Sequence, residues 1–163
     1  MKEIIAVGTD HAGVALKDRI VAHLEKKGVE AIDYGVNSSD SCDYPDIAIP
    51  LCEKVAQGIF HRGILVCGTG IGMSIAANKV EGVRAALCVS TDAARLSREH
   101  NNANVLVVAG RDATAADPIA LVDAWLTTAF SGEVRHARRL DKISAYERSG
   151  GCGSDDCGGC CDA

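Results

Sequence analysis

The stretch that decides the fold reads Gly63-Ile64-Leu65-Val66-Cys67-Gly68-Thr69-Gly70-Ile71-Gly72-Met73-Ser74-Ile75-Ala76-Ala77-Asn78. An apolar run ends at Cys67. Glycines at 68, 70 and 72 follow, interleaved with Thr69 and Ile71, and Ser74 opens an Ile-Ala-Ala run with helical character. A buried strand that passes through a glycine turn into a helix belongs to a parallel-sheet unit. Backbone N–H groups in such a turn can hold an anion. A thiol at the end of the strand therefore faces a place suited to chemistry on a small anionic substrate.

Outward from this stretch the same alternation repeats. Short apolar runs at 4–8, 29–33, 83–89 and 105–109 read as strands. Between them, residues 14–27 carry apolar positions 16, 20, 21 and 24 at helical spacing, closed by Gly28. Pro45 stands in the first turn of a helix whose face is marked by Ile47, Leu51, Val55 and Ile59. Thr91 or Asp92 is the expected cap of a helix running to His100. Asp117-Pro118 starts another, and 135–148 forms a last, basic helix with Leu140, Ile143 and Tyr146 on its apolar side. Strands that are continuously apolar are covered on both faces. The pattern predicts a three-layer α/β/α sandwich around a five-stranded parallel sheet, with ligands bound beyond the carboxyl ends of the strands. Those ends carry Asp10 and His11, residues 67–72, residues 90–92 and Gly110-Arg111.

Composition narrows the function classes. The 163 residues suffice for one ordinary domain with its own core, built from Val, Ile, Leu and Ala because aromatics make up only 4%. A net charge of −5 argues against nucleic-acid binding, which needs a basic surface. Lys2 and Glu3 precede a short apolar run rather than the roughly 7–15 apolar residues of a secretory leader, and nothing resembles a membrane span. The expected compartment is the cytoplasm, where Cys42, Cys52, Cys67 and Cys88 are free thiols.

Two glycine signatures approach nucleotide motifs and fail. Gly8 to Gly13 has the P-loop glycine spacing, but Val14-Ala15 stands where Lys-Ser/Thr is required. Residues 68–73 lack the last glycine of the dinucleotide fingerprint, because Met73 occupies it. Among the thiols, Cys42, Cys52 and Cys88 read as small buried hydrophobes. Cys67 reads either as one more small buried hydrophobe or, because it leads into the glycine turn where a helix N-terminus activates a thiol, as a base or nucleophile. His100, at a helix end, reads either as a solvated terminal histidine or as an acid/base group, and Asp10-His11 is open in the same way. Arg135 and Arg139 share a helix face at i, i+4 and form either a solvated basic surface or a phosphate clamp.

Taken together, Gly8-Thr9-Asp10-His11-Ala12-Gly13, Asp43-Tyr44-Pro45, the run from Cys67 to Asn78, Ser97-Arg98-Glu99-His100-Asn101 and the Arg135/Arg139 pair resemble ribose-5-phosphate isomerase type B. That family also holds allose-6-phosphate and galactose-6-phosphate isomerases. The likeness runs in order over about residues 3–148. It implies a Rossmann-like sandwich, an aldose–ketose isomerisation of ribose 5-phosphate and ribulose 5-phosphate without metal or cofactor, and a homodimer or dimer of dimers with active sites at the subunit interface. A hexose 6-phosphate substrate on the same scaffold is the alternative. Carried onto these positions, Cys67 is the base that moves a proton between C2 and C1, with Thr69 assisting at the adjacent oxygen. His100 opens the furanose ring, with Asp10 nearby. His11, Arg135 and Arg139 hold phosphate, and Tyr44 and Asn101 line the sugar. The backbone of Gly68, Gly70, Ile71, Gly72 and Ser74 stabilises the enediolate as an oxyanion hole does. Some relatives use a glutamate in the glycine loop instead of the cysteine. Met73 stands there in this chain, which places it in the cysteine branch.

Residues 149–163 fall outside the resemblance. They are rich in glycine, lack apolar periodicity, and crowd Cys152, Cys157, Cys160 and Cys161 together. The domain is expected to end at 148, with a flexible tail beyond it. Thiolate binding of a soft metal, or a redox response, is the competing reading of those four cysteines.

Overall fold

The computed structural model describes residues 3–38, 40–111 and 116–150. Five strands form one sheet: β1 (Ile4–Thr9), β2 (Glu30–Asp33), β3 (Arg62–Cys67), β4 (Ala85–Leu87) and β5 (Val105–Ala109). Their spatial order is β2-β1-β3-β5-β4, and every pair is parallel. The helices among the described residues are α1 (Val14–Lys26), α2 (Pro45–Ala56), α3 (Ile71–Ala77), α4 (Thr91–Asn101), α5 (Pro118–Thr127) and α6 (Val134–Arg148).

Side-chain alternation along the strands builds two cores. Ile5, Val7, Ile64, Val66, Leu106 and Val108 face one side, packed with Leu16, Ile20 and Leu24 of α1 and Leu121, Val122 and Trp125 of α5. Ala6, Leu65, Val105 and Val107 face the other, against Leu51 and Val55 of α2 and Met73, Ala76 and Ala77 of α3. This is the three-layer sandwich expected from the sequence.

The order of the strands fixes where a ligand can sit. From β1 the chain steps outward to β2, then crosses back so that β3 lies on the other side of β1. The crevice between the exits of β1 and β3 is the topological switch point, where α/β sheets bind ligands. Thr9 closes its floor: the hydroxyl, fully buried, reaches Val66 O at 3.0 Å.

Several local features differ from expectation. Helix α3 begins at Ile71 rather than Ser74, because Gly70 takes a left-handed φ of 77° and turns the chain directly into the helix. Ser90, not Thr91 or Asp92, caps α4, its Oγ accepting the Ala93 N–H at 3.1 Å. Strand β4 is shorter than 83–89. As an edge strand it is completed by the Asn78 amide, which pairs with Ala85 N at 2.9 Å and Ala85 O at 2.9 Å. Ile59 lies past the end of α2 and is exposed. The expected apolar side of α6 is only partly covered by its own chain: Leu140 is half-buried, whereas Ile143 and Tyr146 are exposed. The cysteines of the tail lie outside the described residues.

Candidate active site

Cys67 is the last residue of β3 and is buried beneath the glycine turn. The left-handed backbone of Gly70 swings its N–H back onto the sulfur, 3.2 Å from Cys67 Sγ. Ile71 N–H points to Thr69 Oγ1 at 3.4 Å, and Ser74 N–H to Gly70 O at 3.0 Å. The Gly72 and Met73 amides, in the first turn of α3, have no acceptor among the described residues. They are the donors a developing oxyanion would meet. Met73's side chain is fully buried in the core. Burial pushes the Cys52 thiol up to about 12 and also raises Cys88, so both stay protonated, as their plain reading requires.

Two further segments close over the turn. The first follows β1. Asp10 is buried, its Oδ1 accepting the Ala12 N–H at 2.9 Å. His11 Nδ1 accepts the Cys42 N–H at 3.3 Å, and the Cys42 sulfur lies 4.0 Å from the same nitrogen. Cys42 thus sits at the site rim rather than in the core. The second segment is the N-terminal end of α2. A Cβ at Gly72 would come within 2.8–3.0 Å of the Tyr44 ring, so the ring lies directly on the first turn of α3. The loop leading there from β2 is anchored by Lys17, a fully buried lysine that sequence reading passed over. Its Nζ donates to Asp33 Oδ2 at 2.6 Å and Asn37 Oδ1 at 2.7 Å.

At the exit of β5, Gly110 N–H donates to Cys67 O at 2.7 Å and Arg111 N–H to Gly68 O at 3.0 Å. Arg111, Gly68, Thr69, Ile71, Leu87 and Val89 line a cavity of about 470 Å³. Arg111 brings a guanidinium to this end of the sheet. Its position after a strand exit was legible, but nothing in the sequence singled it out as a ligand.

The remaining candidates are elsewhere. Helix α4 starts at the strand exits and runs back antiparallel to the strands, so its 11 residues carry His100 about 16 Å away, to the edge where the strands begin. Arg84, at the entry of β4, holds that end through Asn101 O at 3.0 Å. There His100 stacks on His136 with ring centroids 4.2 Å apart. His136 is buried and meets Ser131 Oγ at 2.9 Å. Burial first, then the neighbouring His100, lowers the His136 pKa. Arg135 and Arg139 are exposed on α6, and Arg135 Nε donates to Glu133 at 2.7 Å. One chain therefore carries its candidate residues in two groups at opposite edges of its sheet: Asp10, His11, Tyr44, Cys67 and the turn on one, His100, Asn101, Arg135 and Arg139 on the other.

Residues 5–143 match the ribose/galactose isomerase family. The chain belongs to that family. Ribose-5-phosphate isomerase B of Escherichia coli strain K12 is 47% identical over 144 residues, covering 88% of this chain and 96% of that protein. The Clostridium thermocellum ribose-5-phosphate isomerase B structure superposes with a TM-score of 0.86 at 46% identity, over 90% of this chain and 98% of that one. The Mycoplasma genitalium enzyme, solved with bound ribulose-5-phosphate, gives a TM-score of 0.85 at 44% identity, over 91% and 98%. The sandwich and the Rossmann-like topology are those of the family.

Among the described residues, no helix is long and apolar enough to cross a membrane.

Proposed function

We infer that this chain is an aldose–ketose isomerase that interconverts ribose 5-phosphate and ribulose 5-phosphate. The observation that carries the reading is Cys67 at the switch point, its sulfur fixed by the Gly70 amide beside free helix-end N–H groups, in a fold whose 44%-identical relative holds ribulose-5-phosphate.

In the open-chain aldose, the Cys67 thiolate removes the proton on C2. The released electron pair forms the C1–C2 double bond as the carbonyl pair moves onto O1, giving an enediolate. The Gly72 and Met73 amides are placed for that charge, and one such donor is worth about 2.7–4 kcal/mol of barrier. Return of the proton from sulfur to C1, with transfer of the O2 proton to O1, completes the ketose. Thr69 serves the adjacent oxygen, and Asp10 stands near the ring oxygen. Tyr44 covers the sugar, and His11 and Arg111 of the same chain meet its phosphate.

The ring opener and the rest of the phosphate clamp come from a second copy. His100, Asn101, Arg135 and Arg139 cannot reach Cys67 within one chain, since the sheet stands between them. The exposed Ile71, Ile75 and Val89 at one edge, and Val134, Ile143 and Tyr146 on α6, supply apolar surface for such an assembly. A homodimer with shared sites is the simplest closed arrangement. Action in the cytoplasm fits the free thiols Cys42, Cys52, Cys67 and Cys88 among the described residues.

The deciding experiment compares kcat/KM for ribose 5-phosphate, allose 6-phosphate and galactose 6-phosphate, with and without EDTA. Preference for the pentose, unaffected by chelation, is the expected result. Preference for a hexose phosphate would overturn the substrate assignment.

A further inference from the structure

At the edge where the strands begin, a cavity of about 490 Å³ is lined by Glu3, His61, Arg62, Arg84 and Arg98, with Asn102 at its side. Three guanidinium groups share this space, and their partners do not balance them. Arg62 holds Glu3 through Nε at 2.5 Å and Nη2 at 2.7 Å. Arg98 spends Nε on Thr128 O and Nη1 on Ala103 O and Asn102 Oδ1. Among the described residues it forms no salt bridge with a carboxylate, and its Nη2 has no acceptor. Arg84 gives Nε and Nη2 to the carbonyls of Asn101 and Asn102, leaving Nη1. Glu147 lies on the far side of Arg84, in a separate cavity beneath α6, where it accepts the Gly82 N–H at 3.2 Å.

Three further facts point the same way. Arg62 and Arg98 both stack on the Trp125 ring, their guanidinium carbons 4.9 and 5.7 Å from its centre, so two like charges crowd one ring. Burial lowers the pKa of Arg98, and the charges of Arg62 and Arg84 lower it further, with Glu3 opposing. His61 Nδ1 accepts the Ile4 N–H at 3.0 Å, so a neutral His61 carries its proton on Nε2 and is one more donor at the cavity.

We propose that this cavity is a binding site for a phosphate group, held by Arg98, Arg84 and His61. The unspent Nη2 of Arg98 and Nη1 of Arg84 offer charge-assisted donors to a phosphate dianion, which would neutralise the surplus charge. The ligand is inorganic phosphate or the phosphate end of a small monoester.

The test uses the full-length protein labelled with 15N, titrated with inorganic phosphate and, in a second arm, with glycerol 3-phosphate. Potassium chloride at matched ionic strength is the control. The Nε–H signals of Arg84 and Arg98 are expected to shift saturably with phosphate and not with chloride. The shifts persist in the Arg135→Ala/Arg139→Ala double variant, which removes the substrate clamp proposed above. Saturation by inorganic phosphate assigns the free ion, and saturation by the monoester alone assigns the organic source. Arg98→Gln is expected to weaken binding by about tenfold or more, the loss of one charge-assisted contact. Should that variant not fold, His61→Ala, at an exposed residue, is expected to weaken it several-fold. Signals that follow chloride as they follow phosphate, or that stop responding in the double variant, would overturn the proposal.

Discussion

The Gly70 N–H stands 3.2 Å from Cys67 Sγ, three residues away along the chain, and the contact exists because Gly70 has a φ of 77°. Any other residue there would be strained, and its Cβ would meet Leu87 Cδ1 at 2.3 Å. Left-handed backbone costs a non-glycine residue about 1–3 kcal/mol. Gly70→Ala is therefore expected to lower the melting temperature and to reduce kcat by roughly tenfold or more, as the amide leaves the sulfur. Steady-state kinetics alongside a thermal melt checks both. A fully active Gly70→Ala would show that the amide–sulfur contact does not matter.

The thiols should separate by reactivity. Cys52, pushed up to about 12 by burial, and Cys88, raised for the same reason, stay protonated at pH 8 and resist iodoacetamide. Mass spectrometry is expected to find modification at Cys67 tracking loss of activity, with ribose 5-phosphate protecting. Cys67→Ala is expected to lower kcat/KM by about 10²–10⁴-fold or more, the range for a positioned acid or base. Inactivation that follows labelling of Cys42 instead would move the chemistry to the rim.

The shared sites proposed above make a mixing prediction. Cys67→Ala and His100→Ala are each expected to be nearly inactive alone. After dissociation and random reassociation, half of the dimers are mixed, and each mixed dimer has one intact site of two. About a quarter of wild-type activity should return. No recovery, with exchange of subunits demonstrated, would place each site within a single chain.

Gly72 and Tyr44 should be coupled. A Cβ at 72 would press the Tyr44 ring at 2.8–3.0 Å, so the ring must shift from the place proposed for it over the sugar. Gly72→Ala is expected to raise KM several-fold. In the Tyr44→Ala background the same change should cost much less, a non-additivity expected of residues in contact. Additive effects in the double-mutant cycle would mean that the ring does not bear on Gly72 during turnover.

His136 gives the fold a dependence on pH. Burial, aided by His100, holds its pKa below the ordinary value in the folded state. The unfolded chain therefore binds the proton more tightly. Its contribution is intact above the ordinary histidine value of about 6.5 and is lost as pH falls from there toward the lower folded pKa. The melting temperature of the wild type should drop between pH 7.5 and 5, and His136→Gln should flatten that part of the curve. An unchanged slope would remove His136 as its source.

The sequence by itself determined the layers and picked out Cys67 as a candidate. Alternating apolar runs and helical periods dictate a parallel sheet, because neither element can bury its apolar side otherwise. A glycine turn after the third strand marks Cys67 for the same local reason. Local rules also erred by a turn at Ile71, since a single left-handed glycine decides where a helix begins. What only the tertiary structure decided is which residues meet. Lys17 anchors the loop behind Tyr44, Arg111 enters beside Gly68, and Cys42 touches His11, through contacts that no spacing encodes. The largest such decision separates Cys67 from His100. Sequence patterning identified the strand end at Cys67 and the helix end at His100, but a helix returning antiparallel to the strands carries its last residues to the far edge of the sheet. Chain direction within the fold, rather than residue type, sets these two groups of candidates apart.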